Sequence, residues 1–378
     1  MKRFLVSTLI LSVIILGIGF AAAAEDVIKI GVYEPMTGGM AAGGQMTWEG
    51  IQLANEMNGK VLGKTIKLVL MDNKSDKVES ANAVARLVEQ EKVVAIIGSY
   101  GSSNSMAGGD VAEKAGIPMV TDSATNPLVT QGKKFVFRAC FIDPFQGEVM
   151  AKYSYNTLKA RKAAILQDVA QDYSVGLANY FEKTFVALTK DKKSIVAKLN
   201  YQSGDQDFTA QLTQLASLKP DVIFIPGYFG DGALIAKQAR ELGIKATLLG
   251  GDAFDAPELI QIGGKAVEGL TISSFYSVEA TKSAVAKKFV EAYRKKFKKD
   301  PNANGALGYD TYNMIVDAIK RAGSADPKAI RDALAKTKNF EAVTGMITID
   351  ENGNAKKDAV ILRVQDGKFR YVTTVKPD

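Results

Sequence analysis

The 378-residue sequence has no histidine and a single cysteine, Cys140. A chain without imidazole cannot build the Ser-His-Asp triad, a Cys-His pair or a zinc site of ordinary composition. We interpret Cys140 as a small buried side chain, and we expect core burial rather than disulfides to stabilise the fold. A Ser-Lys dyad or a carboxylate pair remains compatible with the composition, but no serine stands in a Gly-x-Ser-x-Gly turn. The sequence therefore predicts neither an enzyme nor a metal site.

Motifs that bind nucleotide phosphates are also missing. The segment Gly59–Thr65 is one residue shorter than a phosphate loop, and it precedes a predicted strand, whereas a phosphate loop precedes a helix. The glycines of Gly38–Gly44 lack the Gly-x-Gly-x-x-Gly spacing of a dinucleotide site, and we interpret this run as a flexible loop. We expect no bound cofactor.

Neither sign of charge dominates the chain. Its 48 Lys and Arg residues exceed its 41 Asp and Glu residues only modestly, for a formal net charge of +7. The one dense basic cluster, Arg294–Lys299, ends an amphipathic helical stretch, where positive charge suits the helix dipole; a polyanion-binding patch is the alternative. We expect no nucleic-acid partner.

One long apolar run stands at the start of the sequence. Phe4–Phe20 follows two basic residues and precedes Ala21–Ala24. This order predicts a secretory signal peptide of residues 1–24, cleaved after the Ala22-x-Ala24 pattern so that the mature chain begins at Glu25. No cysteine stands near that junction, so we expect no lipid anchor. The predicted product is a soluble periplasmic monomer.

Short runs of β-branched residues alternate with amphipathic segments of helix length over most of the chain. Runs such as Val93–Ile97 are apolar without alternation, as in strands buried on both faces. This pattern predicts an α/β fold with parallel central sheets and helices on both faces, and the length is typical of two domains. The predicted strands are Val27–Tyr33, Ile66–Asp72, Val93–Gly98, Pro118–Thr121, Ala163–Gln167, Ile195–Leu199 and Asp221–Ile225.

The last third of the sequence has a different pattern. Asn352-Gly353 and Asp366-Gly367 are typical of hairpin turns, so an antiparallel ending is predicted, with strands that cross back to a domain already built. The predicted helices are Ala284–Phe297, Ala306–Ala322 and Pro327–Ala335, and the predicted strands are Met346–Ile349, Ala359–Val364 and Arg370–Val375.

Polar residues follow two neighbouring predicted strands. Gly98–Ser105 leaves one strand and enters a helix, and Ser123–Pro127 leaves the next. Open α/β sheets bind ligands at the carboxyl ends of their strands, and a helix N-terminus offers free N–H groups to an anion. Either segment alone is typical of an ordinary helix cap, but the two together predict a cradle for a carboxylate.

With these residues, the chain closely resembles the leucine/isoleucine/valine-binding proteins, the branched-chain amino acid group of type I periplasmic binding proteins. The resemblance runs over essentially the whole mature chain. Besides the two polar segments, it rests on Phe137–Gly147, Gly204–Phe208, Gly250–Phe254 and Gly308–Asp310.

This resemblance implies two Rossmann-like lobes joined by three crossings. Matching segments place the N-lobe at residues 25–142 and 275–345, and the C-lobe at residues 143–274 and 346–378. It also implies a solute-binding component of an ABC uptake transporter, which closes on an aliphatic amino acid and delivers it to a permease and ATPase complex in the inner membrane. A ligand-sensing receptor, or a protein for small carboxylates without an α-amine, is the alternative.

The resemblance also implies roles for particular residues. A ligand carboxylate would be held by Ser102 and by Ser123-Ala124-Thr125, and an α-ammonium by Asp252, with a turn residue as the alternative at that position. Tyr173 and Tyr228 match aromatic residues that the second lobe contributes on closure, although Tyr173 could simply cover the cleft. Gly43 replaces a tyrosine of the side-chain pocket, so an enlarged or opened pocket is expected.

Overall fold

The structure, a computed structural model, describes residues 27–377. The predicted signal peptide and its cleavage site lie outside these residues. The first lobe is built on a six-stranded sheet with the order β2-β3-β1-β4-β5-β6, parallel except for the short β2. Its strands are β1 (Val27–Glu34), β2 (Lys60–Val61), β3 (Lys64–Asp72), β4 (Ala95–Ile97), β5 (Met119–Thr121) and β6 (Val136–Arg138).

The second lobe is built on a seven-stranded sheet with the order β16-β15-β11-β10-β9-β7-β8. Its last two strands run antiparallel to their neighbours, and the others are parallel. The remaining strands of the chain are β7 (Ala163–Asp168), β8 (Ile195–Tyr201), β9 (Val222–Ile225), β10 (Thr247–Gly250), β11 (Thr271–Ser274), β12 (Phe340–Ala342), β13 (Gly345–Ile349), β14 (Ala355–Lys356), β15 (Ala359–Gln365) and β16 (Lys368–Val375).

Helices cover both faces of each sheet. In the first lobe, α1 and α10 pack on one face and α2 and α3 on the other. In the second lobe, α4 and α5 lie opposite α6 and α7. The helices are α1 (Ala41–Met57), α2 (Lys77–Glu89), α3 (Ser102–Ala115), α4 (Asp143–Lys152), α5 (Asp172–Thr189), α6 (Thr209–Leu218), α7 (Phe229–Glu241), α8 (Pro257–Gly263), α9 (Ala284–Phe297), α10 (Ala303–Ala322) and α11 (Pro327–Ala335).

Successive side chains of the buried strands enter two different cores. Ile96 belongs to the apolar cluster on one side of the first sheet, and Ile97 belongs to the cluster on the other side. Phe224 and Ile225 divide in the same way between the two faces of the second sheet. Because side chains alternate along a strand, a run that is apolar at every position must be covered on both faces. The predicted fold class is confirmed.

The two predicted turns lie beside different sheets. Asp366 and Gly367, both with positive φ, join β15 to β16 at the edge of the second sheet. Asn352-Gly353 joins β13 to the short β14, and the carbonyl oxygen of Gly353 accepts a hydrogen bond from the backbone N–H of Arg138 in the first sheet. We therefore propose that the third crossing lies at about residue 357, later than the boundary expected from the sequence.

No helix within residues 27–377 combines the length and apolar character needed to cross a membrane. The same part of the chain contains no group of three or more Cys, Asp or Glu side chains arranged to hold a metal ion.

Candidate ligand-binding site

A cavity lies between the lobes, at the carboxyl ends of strands from both sheets. Its empty space is about 180 Å³, a volume that includes the part open to solvent. Five of the seven predicted site residues line it, and Ala124 and Thr125 are buried next to Ser123 in the same loop. Its lining residues are Tyr100, Gly101, Ser102, Ser123, Tyr173, Tyr228, Asp252 and Ala253.

Ser102 is the first residue of α3, directly after the loop that leaves β4. Its hydroxyl oxygen accepts a hydrogen bond from the backbone N–H of Asn126 at 3.1 Å, so it links the two polar segments. The hydroxyl proton remains available for an acceptor in the cavity, and the first N–H groups of α3 have no partners within the helix. This corner of the site is suited to an anion.

The second polar segment follows β5, the strand beside β4. The Ser123 hydroxyl donates to Asp122 at 2.6 Å. The Thr125 hydroxyl is fully buried outside the cavity lining, and it acts on the carboxyl of Asp143, whose pKa it lowers against the effect of burial.

The segment is held in place by a fully buried arginine. Arg138 on β6 donates from Nη1 to the carbonyl oxygen of Ala124 at 2.7 Å and from Nη2 to that of Asn126 at 2.9 Å. Nη2 also donates to the hydroxyl of Thr130 at 3.1 Å. A planar guanidinium can satisfy several carbonyl oxygens at once, so Arg138 fixes the shape of the loop that carries Thr125.

Asp252 faces the hydroxyl groups from the other lobe, in a short turn that follows β10. Its Oδ1 accepts hydrogen bonds from Tyr173 Oη at 2.9 Å and from Gln146 Nε2 at 2.6 Å. Burial raises the pKa of the Asp252 carboxyl to about 7, although these two donors oppose the rise. A carboxylate so removed from water needs a cation, and an ammonium group of a ligand would supply one.

Three residues near the cavity were not predicted from the sequence. Gln146 positions Asp252, and Tyr100 joins the lobes because its hydroxyl donates to the carbonyl oxygen of Ala253 at 3.3 Å. Asp143 begins α4, and its buried carboxyl lies beside the Thr125 hydroxyl, which opposes the effect of burial on its pKa. Burial raises the pKa of the Asp143 carboxyl well above its usual range. All three lie in segments on which the family resemblance rests, but neither composition nor spacing distinguishes them from the neighbouring residues of those segments.

The aromatic rings form a continuous wall. The Tyr228 ring lies between those of Tyr100 and Tyr173, at centroid distances of 5.8 Å and 5.7 Å. Such tilted pairs are favourable beyond the area that they bury. The Tyr228 hydroxyl is buried without a partner among residues 27–377, so it too could bind a ligand.

A set of hydrogen bonds beside the cavity, the interlobe latch, joins Ser103 and Asn126 of the first lobe to Asp172 of the second. The Ser103 hydroxyl donates to Asp172 Oδ2 at 2.9 Å and accepts from the Asp172 backbone N–H at 3.1 Å. Asn126 Nδ2 donates to the Asp172 carbonyl oxygen at 2.8 Å. The two lobes are therefore in the closed arrangement.

Two α/β lobes that meet at a small cavity lined by aromatic, hydroxyl and carboxyl side chains define the class of two-lobed solute-binding proteins. Residues 27–368 match the family model described as periplasmic binding protein, and the chain belongs to this family.

Relatives with assigned ligands match nearly the full length. The chain is 31% identical over 361 residues to Leu/Ile/Val-binding protein homolog 3 of Brucella melitensis, covering 93% of this chain and 95% of that protein. Among solved structures, a leucine binding protein of Thermotoga maritima is 50% identical, with a TM-score of 0.90 and coverage of 93% of this chain and 99% of that chain. A branched-chain amino acid transporter substrate binding protein of Streptococcus pneumoniae, in complex with isoleucine, is 36% identical, with a TM-score of 0.87 and coverage of 93% and 100%.

Proposed function

We propose that this protein binds an aliphatic, branched-chain amino acid between its lobes and delivers it to the permease and ATPase complex of an ABC transporter. The observation that carries the proposal is the pair of opposed groups across one small cavity. Ser102 offers its hydroxyl and the N-terminus of α3 on one lobe, and Asp252 offers a buried carboxyl on the other. An α-amino acid is a small molecule with a carboxylate and an ammonium group a few bonds apart, which matches this arrangement.

The carboxylate and the ammonium have different partners in this proposal. The ligand carboxylate meets Ser102 and the N-terminus of α3, where N–H groups and the helix dipole favour negative charge. The ammonium meets Asp252, whose orientation is fixed by Gln146 and Tyr173. Charge-assisted hydrogen bonds of this kind are stronger than neutral ones in a closed cavity.

The identity of the side chain is supported by the relatives. The names of the relatives from Brucella melitensis and Pseudomonas aeruginosa include leucine, isoleucine and valine. The Streptococcus pneumoniae relative was solved with isoleucine. We propose the same class of ligand for this chain, a location in the periplasm after removal of a signal peptide, and action as a monomer.

Calorimetry on the chain from Glu25 onward tests this function. Leucine, isoleucine and valine should bind, and 4-methylpentanoate, which is leucine without its amine, should bind much more weakly. At 100 times its dissociation constant, a ligand should stabilise the protein by about 2.7 kcal/mol in a thermal-unfolding assay. Equal binding of 4-methylpentanoate would instead indicate a carboxylate-binding protein. Absence of binding by all three amino acids would contradict the proposed function.

A further inference from the structure

Gly43, which replaces a pocket tyrosine of the resembling family, packs directly against another tyrosine. The glycine lies in the first turn of α1, on the first lobe. A Cβ atom built at this position would lie 2.6 Å from two ring carbons of Tyr100, closer than real Cβ contacts occur. The absence of a side chain at residue 43 therefore leaves the space that the Tyr100 ring occupies.

The backbone and the hydroxyl of Tyr100 are both fixed. Its backbone N–H donates to Glu34 Oε2 at 2.8 Å, and its hydroxyl donates across the cleft to the carbonyl oxygen of Ala253. The ring lies against Tyr228 of the second lobe, and only 2% of the residue is exposed. Because the backbone, the ring and the hydroxyl of Tyr100 each have a fixed contact, the ring presents a rigid surface to the cavity.

Tyr100 lines the same cavity as Ser102 and Asp252. These two residues bind the polar groups of the ligand in the proposed function, so the ligand side chain must lie against the remaining lining. That lining consists of the aromatic wall, Ser123, and Gly101 and Ala253, of which the last two have little or no side chain of their own. The position of the Tyr100 ring therefore controls the space for the ligand side chain.

We propose that Tyr100 is the specificity-determining residue of the side-chain compartment, and that Gly43 sets the position of its ring. This inference rests on the proposed function and deepens it, because it explains how the chain retains an aromatic boundary without a tyrosine at residue 43. The compartment is closed by a ring from the loop after β4 rather than left open. Aliphatic side chains are accepted, and aromatic side chains are excluded by size.

Two substitutions that change the compartment in opposite directions test the inference. Tyr100→Ala removes the ring, so the ratio of leucine affinity to phenylalanine affinity should fall by about tenfold or more. Gly43→Ala forces the ring toward the cavity, so the ratio of leucine affinity to alanine affinity should fall by about tenfold. Calorimetry with alanine, valine, leucine and phenylalanine measures both ratios.

Gly109→Ala is the matched control for a methyl group added to a helix glycine. A Cβ atom there would make only ordinary contacts, the shortest 3.4 Å from Met119 Cε, so all four affinities should stay at wild-type values. Circular dichroism and thermal unfolding show whether each variant folds, and Tyr100→Leu replaces Tyr100→Ala if the latter does not.

The outcomes separate the two proposals. If the wild-type chain binds none of the four amino acids, the proposed function is wrong. The proposed role of Tyr100 is then wrong as well, because it depends on that function. A wild-type chain that binds leucine, with both variants keeping the wild-type ratios, overturns the role of Tyr100 alone. Ratios that move in the two expected directions support it, because a merely structural defect would weaken all ligands together.

Discussion

Among single residues, Asp252 is the one whose substitution we expect to weaken ligand binding most. Asp252→Asn removes the only charge that lines the cavity within the described residues and leaves a buried ammonium without an anion, at a cost of several kcal/mol. Leucine affinity should therefore fall by about 100-fold or more. Ser102→Ala leaves the N–H groups of α3 in place, so a loss of about tenfold is expected. Calorimetry on both variants compares them.

4-Methylpentanoate is the control for the Asp252 prediction. It has no ammonium, so Asp252→Asn should change its affinity little, whereas Ser102→Ala should weaken it by the same factor as leucine. If the affinity of Asp252→Asn for leucine were within about threefold of the wild-type affinity, the lost binding free energy would be less than one net hydrogen bond contributes. That result would contradict the assignment of the ammonium to Asp252.

The sequence could predict residues that act directly and locally, but not those that act through a distant partner. Ser102 and Ser123 were predicted because hydroxyl residues after a buried strand stand where α/β sheets bind ligands. Gln146 is 106 residues from Asp252, so no local pattern connects the two. Tyr100 was missed because its role depends on the bare backbone of Gly43, which lies on a different element. The roles of the predicted residues in binding stay predictions.

At the scale of elements, the loop between β5 and β6 depends on Arg138. Arg138→Lys replaces a planar fork by a single ammonium, which cannot reach the carbonyl oxygens of Ala124 and Asn126 with the same geometry. We expect a loss of about 1–3 kcal/mol in the free energy of unfolding, and weaker leucine binding because Ser123, which lines the cavity, lies in this loop. Chemical unfolding with and without leucine measures both effects.

Arg370→Lys is the matched control for this prediction. Arg370 is on β16, and its half-exposed side chain forms an ion pair with Glu279 at 3.1 Å. Exposed pairs contribute little, so stability and affinity should be unchanged within about 0.5 kcal/mol. If Arg138→Lys were as stable as Arg370→Lys, the loop would not depend on the guanidinium.

Elements with local signals were predicted closely, and those set by tertiary pairing were not. The structure has α9 and α11 with the predicted bounds, because Ser283 and Asp326 cap their first turns with side-chain hydrogen bonds. The helix α10 begins at Ala303 rather than at Ala306, since Asn302 caps it by accepting from the N–H of Gly305. The hydrogen bond between the Asn352-Gly353 turn and Arg138 of the first sheet could not be predicted, because the turn sequence does not encode it.

For the whole molecule, the buried carboxyl of Asp252 links lobe closure to pH. Its pKa is about 7 in the closed arrangement, and exposure to water on opening would return it toward its ordinary value near 4. The closed form then binds more protons between these values, so closure becomes progressively less favourable as the pH rises from about 4 to about 7, and the full penalty is present above pH 7. A bound ammonium removes this opposition.

Small-angle scattering checks this dependence. The radius of gyration of the ligand-free protein should be larger at pH 8 than at pH 5, and saturating leucine should reduce it at pH 8. In Asp252→Asn the difference between the two pH values should shrink, because the amide does not titrate. A wild-type radius that changes with neither pH nor leucine would contradict a closing cleft.

The interlobe latch has a kinetic consequence. Ser103, Asn126 and Asp172 do not line the cavity, yet their bonds to one another exist only while the lobes are together. Affinity contributed by such bonds reflects a slow rate of reopening rather than a fast rate of capture. The dwell time of the solute is therefore set partly by groups that never touch it.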